Sequence, residues 1–131
     1  MMTNTDTPAG VIRGAILAES LRTGTALAGH QMRILQLSRY EVADAAAYQP
    51  RTWTLIEFEA PASADEALAV DLAESLLAPG WYVNWNSDTE ATVVFPGKIF
   101  RYPRGDADGR RAAQEHGHSV GVPEPQLDWT D

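Results

Sequence analysis

The chain has 131 residues, 18 of them acidic and 10 basic, for a formal charge of −8. That balance argues against nonspecific binding to nucleic acid or to an anionic membrane, since both need positive potential. No cysteine is present, which removes disulfides, thiolate catalysis and cysteine-ligated zinc from consideration. The apolar fraction of 44% is ordinary for a globular protein, and a chain this long hides on the order of two-thirds of its unfolded surface. Its apolar runs are a few residues long, far short of the roughly 20 that span a bilayer. The opening residues MMTNTDTPAG lack the basic and apolar regions of a signal peptide, so the expected location is the cytoplasm. Nine of the ten basic residues are arginine and alanine is abundant, the composition of a GC-rich bacterial genome.

Residues 1–10 are small and polar with Pro8 and Gly10 and are expected to be a disordered tail; residues 11–131 are expected to form a single α+β domain. Val11 to Leu21 reads as an extended segment bent or bulged at Gly14. Gln31 to Tyr40 reads as a strand, and the linker Glu41 to Arg51 holds at most a short helical turn. Thr52 to Glu59 is a strand with Thr54, Ile56 and Phe58 on one face and Glu57 and Glu59 on the other.

Ala60 to Gly80 predicts a helix. Ser63 and Glu66 have capping-box spacing, and Leu68, Leu72 and Leu76 recur every four residues, joined by Ala69, Ala73 and Leu77. Asp71 and Glu74 are expected to face solvent, and Pro79-Gly80 to stop the helix. Gly80 to Tyr102 then predicts a three-stranded meander. Trp81, Val83 and Trp85 alternate with Tyr82, Asn84 and Asn86, and Ala91, Val93 and Phe95 with Glu90, Thr92 and Val94. Asn86-Ser87-Asp88 is turn chemistry. Pro96-Gly97 suits a type II turn, which splays hairpin strands and so predicts a bulge or longer loop. A second helix runs from Asp106 or Ala107 to about Ser119, capped by Asp106 and weakened by Gly109 and Gly117. In the tail, Leu127 and Trp129 are the anchors.

These elements predict an α+β fold: a mainly antiparallel sheet with two helices on one face. From residue 52 onward the order resembles the ferredoxin-like split βαβ arrangement, with extra N-terminal strands. The resemblance rests on element order and carries no motif.

No catalytic constellation can be read. There is no nucleophile-elbow context around any serine, no phosphate-cradling glycine motif, and no cofactor signature. His116 and His118 share a face on a strand but lie about 200° apart on a helix, so no metal site is expected. The basic run of Lys98, Arg101, Arg104, Arg110 and Arg111, with Gly105 at a helix N-terminus, has the chemistry to hold a phosphate or carboxylate. Pairing of these arginines with nearby acids is the competing expectation. Glu57 and Glu59 on one strand face are expected to be solvated and arginine-paired. Tyr82, Asn84 and Asn86 are expected to form an outward polar row.

The functional expectation is therefore a non-enzymatic interaction or assembly module, working through a protein partner or as a homodimer joined at a sheet edge or an exposed aromatic face. One form of it is a small acidic inhibitor of a basic partner. The alternative is a small enzyme or binding domain that holds an anionic small molecule through Tyr82, Asn84, Lys98, Arg101 and Arg104.

Overall fold

The computed structural model describes residues 7–129 and 131. Among these the elements run β1 (Val11–Leu17), β2 (Arg33–Glu41), β3 (Thr52–Pro61), α1 (Asp65–Ser75), β4 (Val83–Asn86), β5 (Glu90–Phe95), β6 (Lys98–Pro103) and α2 (Ala107–Ser119). The strands form one antiparallel sheet in the order β2-β3-β1-β4-β5-β6. β1 is thus interior, paired with β3 on one flank and β4 on the other.

Pairing register fixes which side chains share a face, because successive strand residues point to opposite sides. Ile12, Gly14 and Ile16 stand beside Ala60, Phe58 and Ile56, and Gly14 also stands beside Trp85. That face continues through Val83 and Val94 and packs against Leu68, Ala69 and Leu72 of α1. The other face carries Ala91, Val93, Phe95 and Tyr102 and packs against Ala113 of α2 and Trp129 of the tail. The two helices therefore cover opposite faces of the sheet instead of sharing one. β4 and β5 are buried on both sides, and each buried face requires its own cover.

β3 and β4 are both antiparallel to β1, so they run parallel with β1 between them and are joined through α1. A ferredoxin-like plan would end in a strand after the second helix. Here, among the described residues, α2 is followed by a 3-10 turn, Glu124–Gln126, and a non-strand tail.

Several local expectations are corrected by tertiary contacts. Ser63 lies in a short 3-10 turn and caps nothing; α1 proper starts at Asp65, with no side-chain cap. Its start is fixed from the sheet instead, because the Asp65 carboxylate accepts from the Trp85 indole and from Arg101 Nε. The helix ends at Ser75, short of Pro79, because Leu76 turns extended and bridges to Leu21. Arg22 N–H donates to the Ser75 carbonyl at 2.9 Å and Leu77 N–H to Ser20 at 2.8 Å, so pairing with the first loop replaces the last turns. Asp71 faces inward enough to bond buried His30 at 2.6 Å, tying the loop before β2 to α1.

The hairpin of β5 and β6 closes on two residues, since Phe95 pairs directly with Lys98. Gly97 supplies the positive φ this needs, and its N–H donates to Ala73 of α1. The sheet's irregularity falls in β2, between Ile34 and Gln36, and β1 pairs without a bulge. Asp106 caps α2 as read, accepting from Asp108 N–H at 3.2 Å. Among the described residues no helix is long and apolar enough to cross a membrane.

Gly14 has a steric purpose. A Cβ there would lie 2.5 Å from the Trp85 Cβ and 2.8 Å from its Cα, and would fall on the Asn84 carbonyl oxygen. Two interior strands flank this point, so neither can retreat without breaking its ladder. Gly14→Ala is expected to destabilise the fold by about 2–4 kcal/mol, read by urea denaturation; a loss below about 0.5 kcal/mol would contradict this packing.

Candidate functional site

The residues expected to hold an anion do not converge. Tyr82 lies on the α2 side, packed against Phe95 and Trp129, with its hydroxyl donating to the Gln126 carbonyl. Asn84 points to the same side as its register neighbours Ala15 and Val93, is 3% exposed, and its Oδ1 has no hydrogen-bond partner. Arg101 is on the α1 side, bonded to Asp65 at 3.1 Å and 3.5 Å from Glu66. Lys98 sits at the hairpin turn with its ammonium 5.4 Å from the Phe100 ring centre. Arg104 donates to the Ser87 carbonyl at 3.1 Å, locking the β4–β5 turn.

The expected outward row of Tyr82, Asn84 and Asn86 is buried throughout. Trp129 of the tail packs on Tyr82, and β1 and β5 flank Asn84 and Asn86; neither contact is visible in the local alternation.

The N-terminus of α2 does hold a carboxylate, and the chain itself provides it. Gly105 N–H donates to Asp131 Oδ2 at 3.2 Å, and Arg110 Nη1 lies 3.6 Å from Asp131 Oδ1. The other arginines pair similarly. Glu59 takes Arg13 at 2.7 Å and Arg33 at 2.8 Å, and their hydrogen bonds hold its carboxyl below the usual range. Arg111 pairs with Asp108 one turn away.

What the fold does assemble is a pocket of about 190 Å³ on the α2 side of the sheet, beside β1–β3. Its walls include Tyr40 of β2, Trp53 of β3, Leu17 of β1, and Trp81 and Tyr82 ahead of β4, with Asp44 and Asp128 among the lining residues. Trp53 and Trp81 meet at 5.2 Å between ring centres with a 54° tilt. Alternation alone places Trp81 on the face of Val83 and Trp85. It precedes the strand and clusters with Leu17, Trp53 and Leu55 instead.

The loops around the pocket are held by a buried amide network. Gln126 Nε2 donates to Gln49 Oε1 at 2.8 Å and to the Asp44 carbonyl at 3.0 Å, while Gln49 Nε2 donates to Gly80 at 3.3 Å. Burial first, then the carboxylates of Asp128, Glu19 and Asp44, raises the Tyr40 phenol above its usual range. Burial and then Asp128 push Tyr82 well above it.

A second surface is β2 itself. It pairs with β3 on one side only, and it shows Ile34 60% and Leu37 57% exposed. Both point to the α1 side, beside Phe58 and Ile56.

No metal geometry is present: among the described residues no three potential ligands cluster. His116 packs instead between Phe95 and Phe100, at 4.9 and 5.3 Å, with its Nε2 buried and without a hydrogen bond. Burial first, then Lys98, lowers its basicity from the ordinary 6.5. A histidine depressed in the folded state contributes stability above its unfolded pKa, and loses it as pH falls through 6.5 toward the folded value. His116→Phe is therefore expected to flatten the drop in melting temperature between about pH 7.5 and 5; superimposable pH profiles of variant and parent would sink this.

Comparison with protein-family models, with curated proteins and with solved structures finds no match for this chain.

Proposed function

We propose that this protein is a non-enzymatic assembly module of the cytoplasm whose working surface is the outer edge of β2, and that its first partner is a second copy of the same chain. One observation carries the reading. β2 is a nine-residue edge strand that presents Ile34 and Leu37 more than half exposed on one face, where an edge left open normally carries short or charged protection.

Some protection is present. The bulge at Leu35 breaks the ladder, and Arg33, Arg39 and Glu41 punctuate the strand. Residues 36–41 nevertheless remain in regular register with β3. A two-fold axis normal to the sheet through this stretch would pair β2 with itself in antiparallel fashion. That contact is self-complementary by symmetry, supplies main-chain hydrogen bonds, and brings the two Leu37 side chains onto one continuous face. Tyr82 and Arg101 stand on opposite sides of the sheet, so an anionic ligand held by both has no geometric support.

The test is mass in solution by light scattering and sedimentation over a range of concentrations. The parent is expected to reach a dimer, and Leu37→Lys and Ile34→Lys to hold it at monomer mass. Because both positions are exposed, each substitution should change folding stability by less than about 0.5 kcal/mol. A parent that stays monomeric at every concentration, or variants that dimerise as well as it does, would remove the proposal.

A further inference from the structure

We infer that the aromatic pocket lined by Tyr40, Trp53 and Trp81 is a binding site for an alkylated ammonium group, of the kind borne by choline or by a trimethylated lysine. Three features of the pocket converge on that chemistry, and none depends on the β2 edge proposed above.

The first is its walls. Trp53, Trp81, Tyr40 and Tyr82 come from β2, β3 and the approach to β4 and meet around one space. Ring faces are electron-rich and attract a cation within about 6 Å, with tryptophan the strongest of the three aromatic types. The two indoles touch, with ring centres 5.2 Å apart, so a cation would sit against the pair, beside the exposed Tyr40, and not between them.

The second is charge. Asp44 and Asp128 line the same space, and among the described lining residues none carries a positive charge. The field reaches into the pocket, since these two carboxylates and Glu19 add to burial in raising Tyr40. A phosphate or carboxylate ligand would be repelled here. A weakly hydrated cation, which loses little on leaving water, would be drawn in.

The third is size. A cavity of about 150 Å³ admits benzene, so 190 Å³ suits a trimethylammonium head. The amide network of Gln49 and Gln126 fixes the loops that frame the space, so the site is preorganised.

The experiment is calorimetric titration of the full chain with choline chloride, with 3,3-dimethyl-1-butanol, its uncharged carbon isostere, and with trimethyllysine amide. A cationic ligand is expected to bind at least about tenfold more tightly than the isostere. Asp44→Asn changes an exposed side chain and keeps the backbone carbonyl that Gln126 uses, so the fold should survive, as circular dichroism would check. It is expected to weaken the cations several-fold and leave the isostere unchanged, whereas Trp53→Leu should weaken all three. Choline binding more tightly than trimethyllysine amide assigns the site to a free small cation, and the reverse assigns it to a methylated chain; either sustains it. Equal affinity for choline and its isostere, or no saturation by either cation up to about 10 mM, would overturn it.

Discussion

Trp85 occupies the space that any side chain at residue 14 would fill, and much of the molecule follows from that exclusion. With Gly14 bare, the indole lies across β1, meets Phe58 edge-on at 6.1 Å and 74°, and is 1% exposed. Its Nε1–H would be costly to bury without an acceptor. Asp65 at the start of α1 provides one and also takes Arg101 from β6. One tryptophan thus joins β1, β3 and β4 by packing and fixes the first turn of α1 by a hydrogen bond. The helix lacks a local cap because its start is set from the sheet, where a carboxylate is also favoured by the helix dipole.

Covering this sheet is uneven, and the unevenness decides what remains for function. α1 packs on β5 and β6, and α2 on β6 from the other side. The loop between β1 and β2 adds Leu21, Leu27 and Met32 to the α1 face. The end of the sheet at β2 receives no helix. Its two faces are left to Ile34 and Leu37 on one side and to the pocket beneath Tyr40 and Trp53 on the other. The charges are spent elsewhere: Arg13 and Arg33 on Glu59, Arg101 on Asp65, Arg110 on Asp131. With those arginines engaged in internal pairs, Asp44 and Asp128 set the field in the remaining concavity.

What the sequence disclosed, and what it hid, divides along the range of the interaction. Period-two alternation placed the strands around Thr52 and Val93, and Asp106 announced its helix, because these signals act within a few residues. The end of α1 is not local, because Leu76 is claimed by Leu21, some fifty positions away. Asn84 and Asn86 read as an outward row by the usual rule that polar residues face water; they are buried in an interior strand, and its flank against β1 is set some seventy positions away. The anion site at Gly105 was readable as chemistry, since a helix N-terminus beside arginine favours a carboxylate. Its occupant was not, because nothing local says that Asp131 folds back onto it.

The pocket was hidden for a related reason. Tyr40, Trp53 and the pair Trp81-Tyr82 belong to three separate stretches, each with its own role in a core, and only the strand order β2-β3-β1-β4 brings them together. The same order links the two proposed surfaces. Leu37 and Tyr40 lie three residues apart on β2, with Leu37 directed beside Ile56 on one face and Tyr40 beside Trp53 on the other. A strand pairing that ordered the outer edge of β2 would hold Tyr40 against the pocket, and a ligand on Tyr40 would stiffen the strand that pairs. Coupling of that kind is reciprocal by thermodynamic necessity, and its path here is a single strand a few residues long.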